Sequence, residues 1–159
     1  MYINGTFSET NADPLERYTE AQQRMYPIAL KEIRAGRKRS HWMWFIFPQL
    51  CGLAQSHRSS YYGIRDLEEA KQYMEHPLLG PRLIEICSAL LELESCDPVY
   101  VMGFTDSIKL RSCVTLFAQL PDAHPVFNSV LEKYYGSAPD PLTLRLLTSE
   151  SETNHEPKG

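Results

Sequence analysis

The segment that opens at Pro81 narrows most what this chain can become. From there Leu83, Ile84, Cys87, Leu90 and Leu91 recur at helical spacing and form a broad apolar stripe, with Glu85, Ser88 and Glu92 opposite. This pattern predicts a core helix. Two more stripes follow it. After a turn at Asp97-Pro98, Thr105 can cap a helix that carries Leu110, Cys113, Val114 and Phe117 on one side, with Lys109 and Ser112 on another. Val126, Phe127, Val130, Leu131 and Tyr134 then form an amphipathic helix that Gly136 terminates. Asp140-Pro141 starts a short last helix through Leu147.

Upstream the pattern is more broken. Asp13 followed by Pro14 is a helix start, and Leu15, Tyr18 and Gln22 continue it to about Met25. Tyr26-Pro27 predicts a break, after which Ile28, Leu30, Ile33 and Arg34 make a second short helix ending at Gly36. Ser40 to Phe47 reads SHWMWFIF, which propensity alone makes a strand as readily as a buried helix. Pro48 ends it. Gln49 to Ile64 has few periodic apolar residues and predicts a long loop, a kind of segment that is often functional. Asp66 with Glu69 predicts an acidic capping box for a helix to about Met74, stopped by His76-Pro77. About seven helical segments result, without internal repeats.

With 159 residues, 43% hydrophobic and 23% charged, the chain predicts one compact domain. That domain is placed at residues 13–147, between a flexible segment 1–12 and a disordered tail 148–159. The formal net charge of −4 disfavours a general nucleic-acid coat, which needs many cations to displace phosphate counterions. Neither a secretory signal nor a run of about 20 apolar residues is legible, so a soluble cytoplasmic protein with no membrane partner is expected. Cys51, Cys87, Cys96 and Cys113 lack any paired spacing and read as reduced core thiols. His41, His57, His76 and His124 do not complete a zinc-ligand set with them, so no metal and no cofactor is expected.

Several longer strings carry a family likeness: GRKRSHWMWFIFPQL at Gly36 to Leu50, YYGI at Tyr61 to Ile64, HPLLGPRL at His76 to Leu83, DSIKLRSCVTLF at Asp106 to Phe117, and the PDPLTL segment near Pro139. On these strings the chain resembles the domain of unknown function 1810 family over about Leu15 to Leu147. The resemblance implies a compact all-α fold, and with it a buried helical turn at Ser40 to Phe47. It carries no established activity. Some members bear the label calpastatin, but calpain inhibitors of that name look like repetitive, extended polypeptides, unlike this single-copy, core-forming chain. A looser likeness of general style links the family to small helical proteins acting on ADP-ribose derivatives, without a shared motif string.

The candidate chemistry clusters in the same strings. Arg37, Lys38, Arg39, Ser40 and His41 stand beside Trp42 and Trp44, and cations next to flat rings suit a phosphate that carries a base or sugar. The plain alternative is a solvated turn above core aromatics. His41 is a candidate general base where the polar turn enters the apolar run, or simply a cap for a backbone group. Asp106, Lys109 and Ser112 share one helical ridge. There Lys109 can bind an anion while Asp106 positions or deprotonates water, or Asp106 only supports the helix start and pairs with Lys109.

Tyr61, Tyr62 and Gly63 can line a lid or anchor the long loop. His76 and Arg82 add polar groups, though His76 also suits a helix end. Gln49 can read a ligand amide or satisfy backbone in its turn. Together these residues predict a polar, aromatic-walled pocket for an anionic small molecule such as a nucleotide or ADP-ribose derivative, bound or hydrolysed. A non-catalytic module for a protein partner is the competing reading.

Overall fold

A computed structural model describes residues 13–155 and contains nine helices among them. Helix α1 (Glu16–Arg34) buries Tyr18, Gln22, Tyr26, Ala29 and Ile33, one residue every turn along one face. It is continuous where a break at Pro27 was predicted. Pro27 lies on the outer face, and Gln23, whose carbonyl loses its intrahelical partner, is also exposed. Water can therefore serve the freed carbonyl, and the buried side keeps its packing.

The aromatic run resolves into a single turn, α2 (Met43–Ile46), and Phe47 N–H donates back to the Met43 carbonyl at 3.1 Å. Trp42, Met43, Ile46 and Phe47 are buried, a helical rather than an alternating pattern. The expected long loop holds more order than its composition suggests. It contains α3 (His57–Tyr62), capped by Ser56, whose hydroxyl accepts from Ser59 N–H. Its ends are tied by an isolated parallel bridge between Leu50 and Ile64, with Cys51 N–H donating to Ile64 O at 2.8 Å and Ile64 N–H to Gln49 O at 2.9 Å. A Cβ on Gly63 would stand 2.4 Å from Cys51 Sγ and 2.6 Å from the Ser59 carbonyl, so only glycine fits this closure.

Helix α4 (Leu67–Glu75) starts at the Asp66 cap, which accepts from Glu69 N–H at 2.9 Å. The capping box is only half formed. Instead of returning to Asp66, the buried Glu69 carboxylate accepts from Arg65 N–H and pairs with Arg17 at 3.3 Å, pinning α1 to the neck of the loop. Helix α5 (Leu79–Leu91) begins two residues before Pro81, because His76 Nδ1 accepts from the N–H groups of Leu78 and Leu79. A short α6 (Pro98–Met102), capped by Asp97, leads through Gly103 at φ 91° into α7 (Phe104–Ala118). Thr105 is thus the second residue of α7 rather than its cap.

The last turns of α7 bury every residue from Ser112 to Phe117, and this helix is the hub of the fold. It packs against α6, α4 and two C-terminal helices, α8 (Pro125–Tyr135) and α9 (Pro141–His155), while α5 packs on α1, α4 and α8. Rings of Tyr18, Tyr73, Phe117 and Phe127 run through the core with centroids 5.1 to 5.6 Å apart. Helix α8 ends at Gly136 in the left-handed region at φ 60°. Helix α9 continues past the predicted end at Leu147 to His155, into the stretch expected to be a disordered tail. The flexible segment predicted at 1–12 lies outside the described residues. Of the four thiols, Cys87 and Cys113 are buried as predicted, whereas Cys51 is half-buried and Cys96 is exposed. No helix among the described residues is long and apolar enough to cross a membrane.

Candidate functional site

A cavity of about 390 Å³ opens where α2, the loop before α3, α7 and the start of α9 meet. This volume lies within the range of small-molecule sites, about 300–1,000 Å³. Trp44 and Gln49 reach it from the aromatic string, Leu53 to Ser56 from the loop, and Lys109 and Ser112 from α7. Asp140 and Leu142 close the remaining side. Four of the sequence candidates, Trp44, Gln49, Lys109 and Ser112, therefore share one concavity.

Helical geometry explains the α7 contribution. Thr105, Ile108, Lys109 and Ser112 fall on one side at spacings of three and four, while Leu110, Cys113 and Phe117 face the core. The Lys109 ammonium sits 4.6 Å above the Trp44 ring and 3.2 Å from Asp106 Oδ1. Lys38, only 8% exposed, approaches the other oxygen of the same carboxylate at 2.8 Å. Two ammonium groups thus share one aspartate, which leaves one positive charge in excess beside the ring. Asp106 has both oxygens facing cations, an arrangement that makes it the electrostatic anchor for the two ammonium groups.

Asp140 was read from the sequence only as a helix start. Its Oδ2 takes the N–H and hydroxyl of Thr143 and lies 3.1 Å from Ser112 Oγ, while its own N–H donates to Thr115 Oγ1 at 2.9 Å. Arg111 holds the preceding segment through the carbonyls of Ala138 and Pro139. The Oδ1 oxygen receives no hydrogen bond from a described residue. An Asp-Pro start whose Thr lies three residues on signals the cap. The convergence with Ser112 is tertiary and has no local signal.

The other candidates lie elsewhere. His41 is exposed and does not line the cavity. Arg37 stacks its guanidinium 4.9 Å above Tyr100 on the outside. Ser40 and Trp42 belong to a different arrangement, built around Glu32. That carboxylate accepts from the N–H groups of Arg39 and Ser40, the Ser40 hydroxyl and the Trp42 indole N–H. Burial opposes its ionisation, but these hydrogen bonds outweigh that and hold it down at about 2 against an ordinary 4.5. Sequence reading missed Glu32, whose partners lie seven to ten residues further along the chain.

Tyr61 is exposed and Tyr62 packs on Phe45 and Tyr18, while the carbonyls of Tyr61 and Gly63 accept from Arg17. These contacts anchor the loop neck. His76 caps α5, and Arg82 lies over Tyr26 and donates to Gln22, both away from the cavity.

The comparisons with known proteins agree with this architecture. A crystal structure of the conserved hypothetical protein Rv1873 from Mycobacterium tuberculosis superposes with a TM-score of 0.83 at 46% identity, covering 86% of this chain and 99% of that one. No curated protein matches the chain. The family model described as protein of unknown function (DUF1810) matches residues 12–147, so the strings first noticed around the two tryptophans and along α7 lie within a matched domain, and the chain belongs to the DUF1810 family.

Proposed function

We propose that this protein binds a small anionic metabolite that carries a flat ring, with a nucleotide or ADP-ribose derivative as the chemical class that fits. One observation carries the reading: Trp44, Lys109, Ser112 and Asp140, distant in sequence, line a single cavity of about 390 Å³. Trp44 offers an aromatic surface, and the positive charge left over where Lys38 and Lys109 share Asp106 favours a phosphate. Asp140 Oδ1 stands ready to accept from a sugar hydroxyl. The reading is of a cytoplasmic binding protein, and it assigns no bond-breaking step to His41 or Asp106.

Thermal melting against nucleotides, sugar phosphates and ADP-ribose tests it. A ligand that binds only the folded state raises Tm with concentration, by an amount equivalent to about 2.7 kcal/mol at a hundred times Kd. A Tm that stays flat with every anion in the panel removes the proposal.

A second reading, docking of a protein partner, draws on one surface feature. Phe104 is 70% exposed, and Val99 and Tyr100 on α6 and Ile108 one turn further along α7 are exposed as well. Under that reading Phe104→Ser abolishes capture of the partner, Lys109→Ala does not, and no metabolite shifts Tm.

A further inference from the structure

The described chain buries eight polar or charged residues, and seven of them have protein partners. Gln22 shows the rule for its residue type. Its amide nitrogen donates to the Phe45 carbonyl at 2.8 Å, and its oxygen accepts from Arg82 at 3.3 Å. Ser59, Ser107, Ser112, Thr115 and Thr143 each use their hydroxyls, and Glu69 pairs with two arginines, although its buried Oε2 accepts no hydrogen bond from a described residue. Gln49 is the exception. It is only 7% exposed and lines the cavity, yet its carboxamide makes no hydrogen bond to a described residue.

Its backbone is held firmly: Pro48 before it is buried, and its carbonyl accepts from Ile64 N–H at 2.9 Å. The turn therefore does not need the side chain. The amide atoms are not sealed in the interior but open onto the cavity, so a carboxamide left unpaired there beside an aromatic wall and a cation is suited to meeting a ligand. A carboxamide presents a donor and an acceptor side by side in one plane. It is matched by a flat ring that bears an acceptor and a donor on neighbouring positions, as an aminopurine or a ring carboxamide does.

Resting on the reading of this cavity as a site for a flat-ring anion, we infer that Gln49 is its specificity-determining residue and pairs with a donor–acceptor edge of the ring. The ring lies against Trp44, its anionic arm runs to Lys109, and Gln49 selects among rings of similar size. Discrimination by hydrogen bonding in a buried site is large, because an analogue that lacks the edge leaves the amide unpaired again.

Isothermal titration with two pairs of probes tests this. AMP is compared with purine riboside 5′-monophosphate, which lacks the amino group, and nicotinamide mononucleotide with nicotinic acid mononucleotide. The wild type should prefer the edge-bearing member of one pair by about tenfold or more, and the pair that shows the preference distinguishes the aminopurine from the carboxamide. Gln49→Met, similar in size and without the amide, should reduce that preference to less than about twofold. Equal binding of both members of both pairs overturns the inference and leaves the cavity reading intact, as does a preference that Gln49→Met retains. Binding of none of the four overturns the inference alone if another flat-ring anion raises Tm, and both readings if none does. Should Gln49→Met fail to fold, Gln49→Glu keeps size and an acceptor but loses the donor. The preference should then shrink at least fivefold, and an undiminished preference overturns the inference.

Discussion

Trp42 and Trp44 stand two residues apart, each with a lysine ammonium above its ring, at 4.8 and 4.6 Å, and the two lysines share Asp106. Their surroundings are nonetheless opposite. Around Trp42 every polar group is answered: its indole N–H reaches Glu32, which also gathers the N–H groups of Arg39 and Ser40 and the Ser40 hydroxyl. Around Trp44 the Gln49 carboxamide and one oxygen of Asp140 are left over, and a cavity takes the place of packed atoms. A saturated network fixes a shape, whereas an unsaturated one holds bonding capacity for something that arrives.

The contrast is easiest to break by truncating the first ring. Trp42→Ala removes a side chain only 1% exposed and takes one of four hydrogen bonds from the Glu32 carboxylate, so a loss of about 3–5 kcal/mol is expected in urea unfolding. Trp44→Ala should cost less than half as much and abolish any ligand-induced rise in Tm. Equal losses for both would erase the distinction. Glu32→Gln follows, with an expected loss of about 1–3 kcal/mol at pH 7 from weakened charge-assisted hydrogen bonds.

The pH dependence of that variant sharpens the point. Glu32 is held down to about 2 in the folded protein against 4.5, so its stabilisation is fully present above about pH 4.5 and declines as pH falls toward 2. The stability gap between wild type and Glu32→Gln should narrow across that window, as guanidinium or urea titrations at successive pH values would show. Gly63→Ala comes next, at about 1–3 kcal/mol, because the new methyl would press on Cys51 and the Ser59 carbonyl. Smallest in stability is Lys109→Ala, expected within about 1 kcal/mol because a short-range helical pair and one ring contact are all it loses. Its effect on the ligand should be at least tenfold in Kd, so a large fall in unliganded Tm would mark Lys109 as structural.

Much of the fold was legible where local chemistry and tertiary need coincide. The stripe from Leu83 to Leu91 forms a core helix, and Gly136 ends α8 in the left-handed region as its backbone freedom allows. Legibility failed where a rule about one residue met a permissive setting. Pro27 did not break α1 because the carbonyl it orphans faces solvent. The segment from Gln49 to Ile64 hides a capped helix because α3 is only six residues long and half of them are serine or histidine. In the site, spacing alone placed Lys109 and Ser112 on one ridge, and the aromatic string pointed to Trp44 and Gln49. It could not separate Trp44 from Trp42, because the difference lies in Glu32, ten residues before Trp42 and on another helix. His41 looked poised by its place in the string, but the turn points it outward, and nothing local encodes that direction.

The bridge between Leu50 and Ile64 has a further consequence. It clasps both ends of a segment whose middle, Leu53 to Ser56, forms one wall of the cavity. Residues added or removed between Leu53 and Gln55, ahead of α3, would leave the clasp and the contacts of α3 in place, and lengthening a closed loop twofold costs only about 0.6 kcal/mol in chain entropy. The size of the chamber is thereby uncoupled from the stability of its foundation, so insertion and deletion can retune what enters without renegotiating how the rest of the molecule folds.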